Sequence, residues 1–160
     1  MSQQDIFQQE LFLNLDEVYQ EQIRQSYQYI HSLGEMKAIE QEWAKYKYLI
    51  LEHSHKIYLQ IRHLLKDKQA FPGQEFLILI CQALQEKTDR LTKVNSIDHV
   101  WGYFKNTATQ EEKEIYKNML DSFIGDEIEL SEMKAFLYAL TKKYHVHYLL
   151  ESYYFINIQP

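Results

Sequence analysis

The sequence has one cysteine, two prolines and four glycines in 160 residues. A lone Cys81 excludes a disulfide framework, and any cysteine-rich zinc or iron–sulfur site built from this chain alone. Scarce proline and glycine mean few helix breakers, which suits long helices. No apolar run approaches the roughly 18–20 residues needed to cross a bilayer, and "QEFLILICQAL" falls far short. No charged-then-apolar leader opens the chain, whose start "MSQQDIFQQELF" is polar and rich in glutamine. A cytoplasmic location with no membrane partner is therefore expected. Also missing are a paired-carboxylate pattern, a nucleophile–base pair at telling spacing and a phosphate-cradling glycine loop. No catalytic residue, cofactor or metal is expected from the sequence.

What is present is the balance of a folded protein, with 46% apolar and 25% charged residues. The net charge of −6 is unevenly spread: residues 35–108 hold eleven basic and nine acidic side chains, whereas both flanks are acidic. Such a chain repels phosphate backbones as a whole but leaves room for a local basic face in its middle.

Helix signals follow one another and no alternating strand pattern appears. "NLDEVYQEQIRQSYQYIHSLG" starts on Asn14 and the acids Asp16 and Glu17 and stops at Gly34. "EMKAIEQEWAKYKYLILEHSHKIYLQIRHLLKDKQ" runs without a breaker to Pro72-Gly73, as one helix or as two with a bend. "GQEFLILICQALQEKTDRLTK" reads as a buried helix, and Asn95 or Ser96 as the cap of "SIDHVWGYFKNTA". Thr109 and Glu112 form a capping-box signature, Gly125 ends that helix, and Ser131 caps the next. The expected fold is all-α: one compact bundle of about six or seven helices over residues 14–160. Residues 1–13 are a separate N-terminal segment whose order the pattern leaves open.

Seven histidines invite a metal reading. His53 and His55 stand two apart, however, and cannot share a helix face. "HVH" at His145 and His147 could face one way only in an extended connection. His55 and His63 are expected in solvent. His53 falls in an apolar stripe, either as a hydrogen-bonded core imidazole or as a site residue. Lys47, Ser54 and Tyr58 fall on the shoulder of that stripe. In the later helix Ile97, Val100, Trp101 and Phe104 make an apolar face opposite Asn95, His99, Gly102, Tyr103 and Asn106. If the two polar faces meet, Lys47, His53, Ser54, Tyr58, His99 and Tyr103 line one cleft of donors suited to an anion or a base.

These positions also carry a family resemblance. "KYKYLILEHSHKIY" resembles the "RYK…AHS…Y" segment of the YbgA-like domain, and "NSIDHVWGYFK" resembles its "N…HVxGYF[KR]" signature. "YLLESYYF" is similar to its closing element, so the likeness runs from about Glu42 to Phe155. The domain occurs alone and also fused behind thiouracil or thiouridine desulfidase domains. There the helical part is thought to hold tRNA. The resemblance therefore implies a non-catalytic accessory module that binds tRNA or other structured RNA, with a separate enzyme subunit as a second partner. The binding residues it implies are Lys47, His53, Ser54, Tyr58, Asn95, His99, Tyr103 and Lys105. This chain departs from the family pattern at Lys93, at Ser152 and in "FIGDEIEL", where an arginine and a proline are lost. Two other readings stand beside it: a small-anion or nucleotide-like ligand site, or an enzyme, built on His53 and His99; and a protein-interaction module using "DEVYQEQIRQSYQYIHSLG".

Overall fold

The computed structural model describes residues 3–158. Its regular elements are α1 (Gln3–Gln8), α2 (Glu10–Leu13), α3 (Glu17–Leu33), α4 (Met36–His53), α5 (His55–Leu64), α6 (Gly73–Gln85), α7 (Arg90–Trp101), α8 (Gln110–Ile124), α9 (Leu130–Lys143) and α10 (His147–Leu150), closed by a 3₁₀ turn at Tyr153–Phe155. The all-helical class holds among the described residues. Ten α-helices replace the expected six or seven. The surplus comes from a break at Ser54 and from two short helices, α1 and α2, at the N-terminal end. None of these helices is long and apolar enough to cross a membrane.

The boundaries follow local chemistry. Gly34 takes the left-handed conformation at the end of α3 (φ 63°) and returns its N–H to the Ile30 carbonyl. Asp16, not Asn14, precedes that helix. The Gln20 amide ties the connection by donating to the carbonyls of Phe12, Leu13 and Leu15. The capping box predicted at Thr109 and Glu112 is present in both directions.

Two other starts are corrected. The helix carrying "HVW" begins at Arg90, because the Asp89 carboxylate accepts both the Thr92 N–H and its hydroxyl at 2.8 Å. Asn95 and Ser96 are therefore interior to it. The last long helix begins one residue before Ser131, where the Glu132 carboxylate accepts from the Glu129 N–H. An acid three residues in outcompetes the serine.

Helix α4 is the spine. It packs most extensively on α7, and also against α3, α5, α6 and the 3₁₀ turn. Tyr46 and Ile50 of α4, Ile97 and Val100 of α7, Phe76 and Ile80 of α6, and Phe155 are essentially inaccessible to solvent. Each such side chain contributes about 1.5–3 kcal/mol by leaving water. One continuous apolar cluster reaches from Ile6 to Phe155. It includes the apolar face predicted for α7 and most of α6.

Polar groups inside this core are tied across elements. The buried Glu42 carboxylate accepts from Ser26 (2.6 Å) and from the Tyr153 hydroxyl (2.9 Å), and Ser26 also bonds the Tyr46 hydroxyl at 2.7 Å. This network fixes the angle between α3, α4 and the C-terminal turn. It thereby sets what the outer face of α4 presents.

Candidate functional site

Ser54 decides the geometry of the first motif. Its extended backbone (φ −160°, ψ 110°) ends α4, and its hydroxyl accepts the Ile57 N–H to start α5. The "HS" pair is therefore a helix junction, and helical angles cannot be carried across it. Ser54 is buried and serves as a cap.

His53, the last residue of α4, turns into a buried charged cluster. Lys134 of α9 is almost wholly buried, with its ammonium 2.5 Å from Glu52 Oε1. The same ammonium donates to the Tyr154 carbonyl at 2.9 Å and sits 4.1 Å from the Tyr154 ring centre. His53 Nε2 lies 3.3 Å from the other Glu52 oxygen, and Tyr19 meets the imidazole edge-on. Neither ring nitrogen of His53 has a well-oriented hydrogen bond among the described residues. Burial holds its pKa below the ordinary histidine value; Glu52 pulls it back up, and Lys134 lowers it again. Burial thus favours the neutral form of the His53 ring, beside a carboxylate already paired with Lys134.

A second group forms around Tyr48. Its hydroxyl pairs with that of Tyr103 at 2.8 Å, and the Tyr103 and Tyr148 rings stack nearly parallel with centres 5.9 Å apart. Burial, then the Tyr103 hydrogen bond, push the Tyr48 pKa up. Tyr58, near enough to act on Tyr48 electrostatically, is buried between Trp43 and the Arg62 guanidinium. The Lys47 ammonium lies 5.7 Å from the Tyr48 ring centre.

The expected single cleft is thus divided. Lys47, Tyr58 and Tyr103 gather around Tyr48, while His53 belongs to the Glu52–Lys134 cluster. His99 is exposed on α7 and gives its Nδ1 proton to the Asn95 carbonyl of its own helix (2.8 Å). Asn95 is half-buried, and Lys105 is exposed two residues beyond Tyr103. Gly102 does not open space for a ligand. The nearest atom to the place a Cβ would occupy is the His99 carbonyl oxygen, at 3.1 Å, so the missing side chain relieves the turn that ends α7.

Two hollows lie side by side on the outer face of α4. The first, about 420 Å³, is walled by Trp43, Lys47, Arg62, Lys66, Lys68 and Tyr148. Glu40, the acid in its lining, is paired with Lys68 at 3.3 Å. The charges of Lys47, Arg62 and Lys66 therefore face the hollow without an ion-pair partner among the described residues. The second, about 310 Å³, is lined by Tyr29, Gln41, Ala44, Lys45, Tyr148 and Glu151. Ala44 and Tyr148 belong to both. Of the eight residues predicted for a binding site, Lys47 alone lines these hollows.

Trp43, Tyr148 and Glu151 escaped sequence reasoning, because helix periodicity gives no partner for an aromatic or an acid from a distant element. Glu52 and Lys134 were legible as charges inside the apolar runs "LILEH" and "KAFLYAL". No group of three or more metal-ligating side chains occurs among the described residues. His145 has a left-handed backbone (φ 51°), and both it and His147 are exposed.

No curated protein and no solved structure matches the chain. A family model does, over residues 47–158, which takes in Lys47, the Ser54 junction, all of α7 and the closing turn. The chain belongs to that family, DUF1722, described as proteins of unknown function, to which the YbgA-like domains resembled by its sequence also belong.

Proposed function

We propose that this protein is a non-catalytic helical module that binds structured RNA, tRNA in the first instance. The observation that carries the reading is the basic hollow between α4 and α5. A chain of net charge −6 concentrates Lys47, Arg62 and Lys66 there beside the rings of Trp43 and Tyr148. Cations that neutralise phosphates release bound counterions, and aromatic faces stack on unpaired bases. The Tyr103 ring stacks on that of Tyr148, 5.9 Å between centres, and supports it. A separate enzyme subunit that acts on the held RNA fits the same reading.

A ligand site or enzyme built on His53 and His99 has less support, because the two rings have separate surroundings and neither lines the hollows. Fluorescence anisotropy with labelled tRNA at low salt tests the proposal. The triple variant Lys47→Ala/Arg62→Ala/Lys66→Ala is expected to bind at least about tenfold more weakly, the equivalent of about 1.4 kcal/mol. Unchanged affinity, or no binding by the unaltered chain, would remove it.

A further inference from the structure

The smaller hollow beside the basic one has its own chemistry, and it is not that of a phosphate site. Its donors and acceptor are fixed by neighbours. The Gln41 side-chain oxygen accepts the Tyr29 hydroxyl, so the Gln41 amide N–H groups are what remains to offer. Lys45, 3.7 Å from the buried Glu42 carboxylate, adds an ammonium at the rim. Glu151, half-exposed and 3.4 Å from His147, contributes a carboxylate that can only accept. Ala44 adds only a methyl group to the lining. The Tyr148 ring, backed by Tyr103, makes a wall shared with the basic hollow.

We infer that this hollow is a nucleobase subsite selective for an unpaired guanine, a proposal that rests on the RNA-binding reading of the adjoining groove. A flat ring has the Tyr148 ring to lie on, and about 310 Å³ holds a purine with room to spare. The polar groups choose among bases. Guanine presents two adjacent donors, N1–H and the N2 amino group, beside one acceptor, O6. The donors meet both oxygens of Glu151, and O6 meets the Gln41 amide or the Lys45 ammonium. Adenine sets the N1 lone pair against the carboxylate. Uracil offers it one donor, and cytosine one donor flanked by an acceptor. Single-stranded bases are read in this way on their Watson–Crick edges. Because the two hollows share Tyr148 and Ala44, the phosphates flanking a base in the smaller one fall toward Lys47 and Arg62 in the larger.

The test uses uridine-rich RNA pentamers with a central G, A or C, titrated by anisotropy, together with GMP titrated by calorimetry. A well-formed bidentate contact discriminates by about 1–3 kcal/mol, so the G pentamer is expected to bind roughly tenfold tighter than the others. Glu151→Gln, which keeps shape but turns one acceptor into a donor, should erase that preference and leave the salt dependence as it was. The triple variant of the basic hollow should weaken all pentamers alike and preserve the ratio. Pentamers that bind salt-dependently with no preference for G, or with a preference that survives Glu151→Gln, overturn the guanine subsite and leave the groove reading intact. GMP binding lost in Glu151→Gln, with no pentamer or tRNA bound by the unaltered chain, would keep the subsite and sink the RNA reading.

Discussion

The inner and outer sides of α4 treat charge in opposite ways. At its C-terminal end Glu52 and His53 face inward, and Glu52 meets Lys134 in a place water barely reaches. Along its outer face Lys47 stands with Arg62 and Lys66 beside open space, and Glu40, the acid in that lining, is paired with Lys68 instead. A buried charge must be paired, because removing it from water costs several kcal/mol. An exposed one need not be, and four cations gathered with a single acid make a local positive field in a chain that is otherwise acidic. The inner pair therefore reads as architecture, joining α4 to α9 and the C-terminal turn, and the outer cluster as a surface for an anionic partner.

The sharpest way to break this contrast is on the inner side. Lys134→Ala leaves the Glu52 carboxylate buried without its partner and should cost about 3–5 kcal/mol, read as the midpoint shift in urea unfolding. The same substitution at Lys47 should leave the midpoint nearly unmoved. If Lys134→Ala proves as silent as Lys47→Ala, the inner pair is not what holds α9 to α4. Next in size, Gly34→Ala places a side chain at φ 63° with nothing near it, so the cost is conformational alone, about 1–2 kcal/mol. Tyr103→Phe removes the partner of the buried Tyr48 hydroxyl and should cost about 1 kcal/mol. In the RNA reading it keeps the ring that stacks on Tyr148, so affinity should stay near that of the unaltered chain, whereas Tyr103→Ala should weaken binding and leave the salt dependence as it was.

The smallest effect is one of pH. Hydrogen bonds from Lys143, Tyr144 and the Thr109 N–H hold the Glu112 carboxyl at about 2 instead of 4.5. A depressed carboxylate pKa stabilises the fold above the unfolded value and loses that contribution as pH falls from about 4.5 toward 2. The stability gap between the unaltered chain and Glu112→Gln should therefore be present at pH 7 and close across that window. A gap that widens on acidification would contradict the assignment.

Much of the fold was legible residue by residue. Gly34 and the Thr109–Glu112 box each state a local rule that tertiary packing left standing, whereas the helix of Ile97 and Val100 ends at Trp101, so Gly102, Tyr103 and Phe104 reach their places through a turn. The misses share a cause. "LEHSHK" satisfies helix periodicity on both sides of Ser54, and only a hydroxyl committed to a cap shows the break. Asp89, hidden in "QEKTDR", outcompetes Asn95 and Ser96 by being the acid three residues before a free N–H. Once Ser54 resets the helical phase, the angles that set His53 beside Tyr58 lose meaning, and the expected cleft divides. The motif residues Lys47, Tyr58 and Tyr103 do converge, through Tyr48, a residue that helical spacing placed with none of them. Trp43, Tyr148 and Glu151 complete the outer face from two elements more than a hundred residues apart, beyond the reach of any local pattern.

The central claim, that the outer face of α4 is where RNA is held, is tested most directly by the salt dependence of tRNA affinity. Three chains are compared: the unaltered one, the Lys47/Arg62/Lys66 alanine variant, and a charge-matched control with Lys113, Lys117 and Lys142 replaced by alanine on α8 and α9. Loss of up to three phosphate contacts should flatten the plot of log affinity against log salt by about two units in the groove variant. The control should keep the slope of the unaltered chain. Equal slopes for all three, or flattening in the control alone, would place the RNA elsewhere or nowhere on this protein.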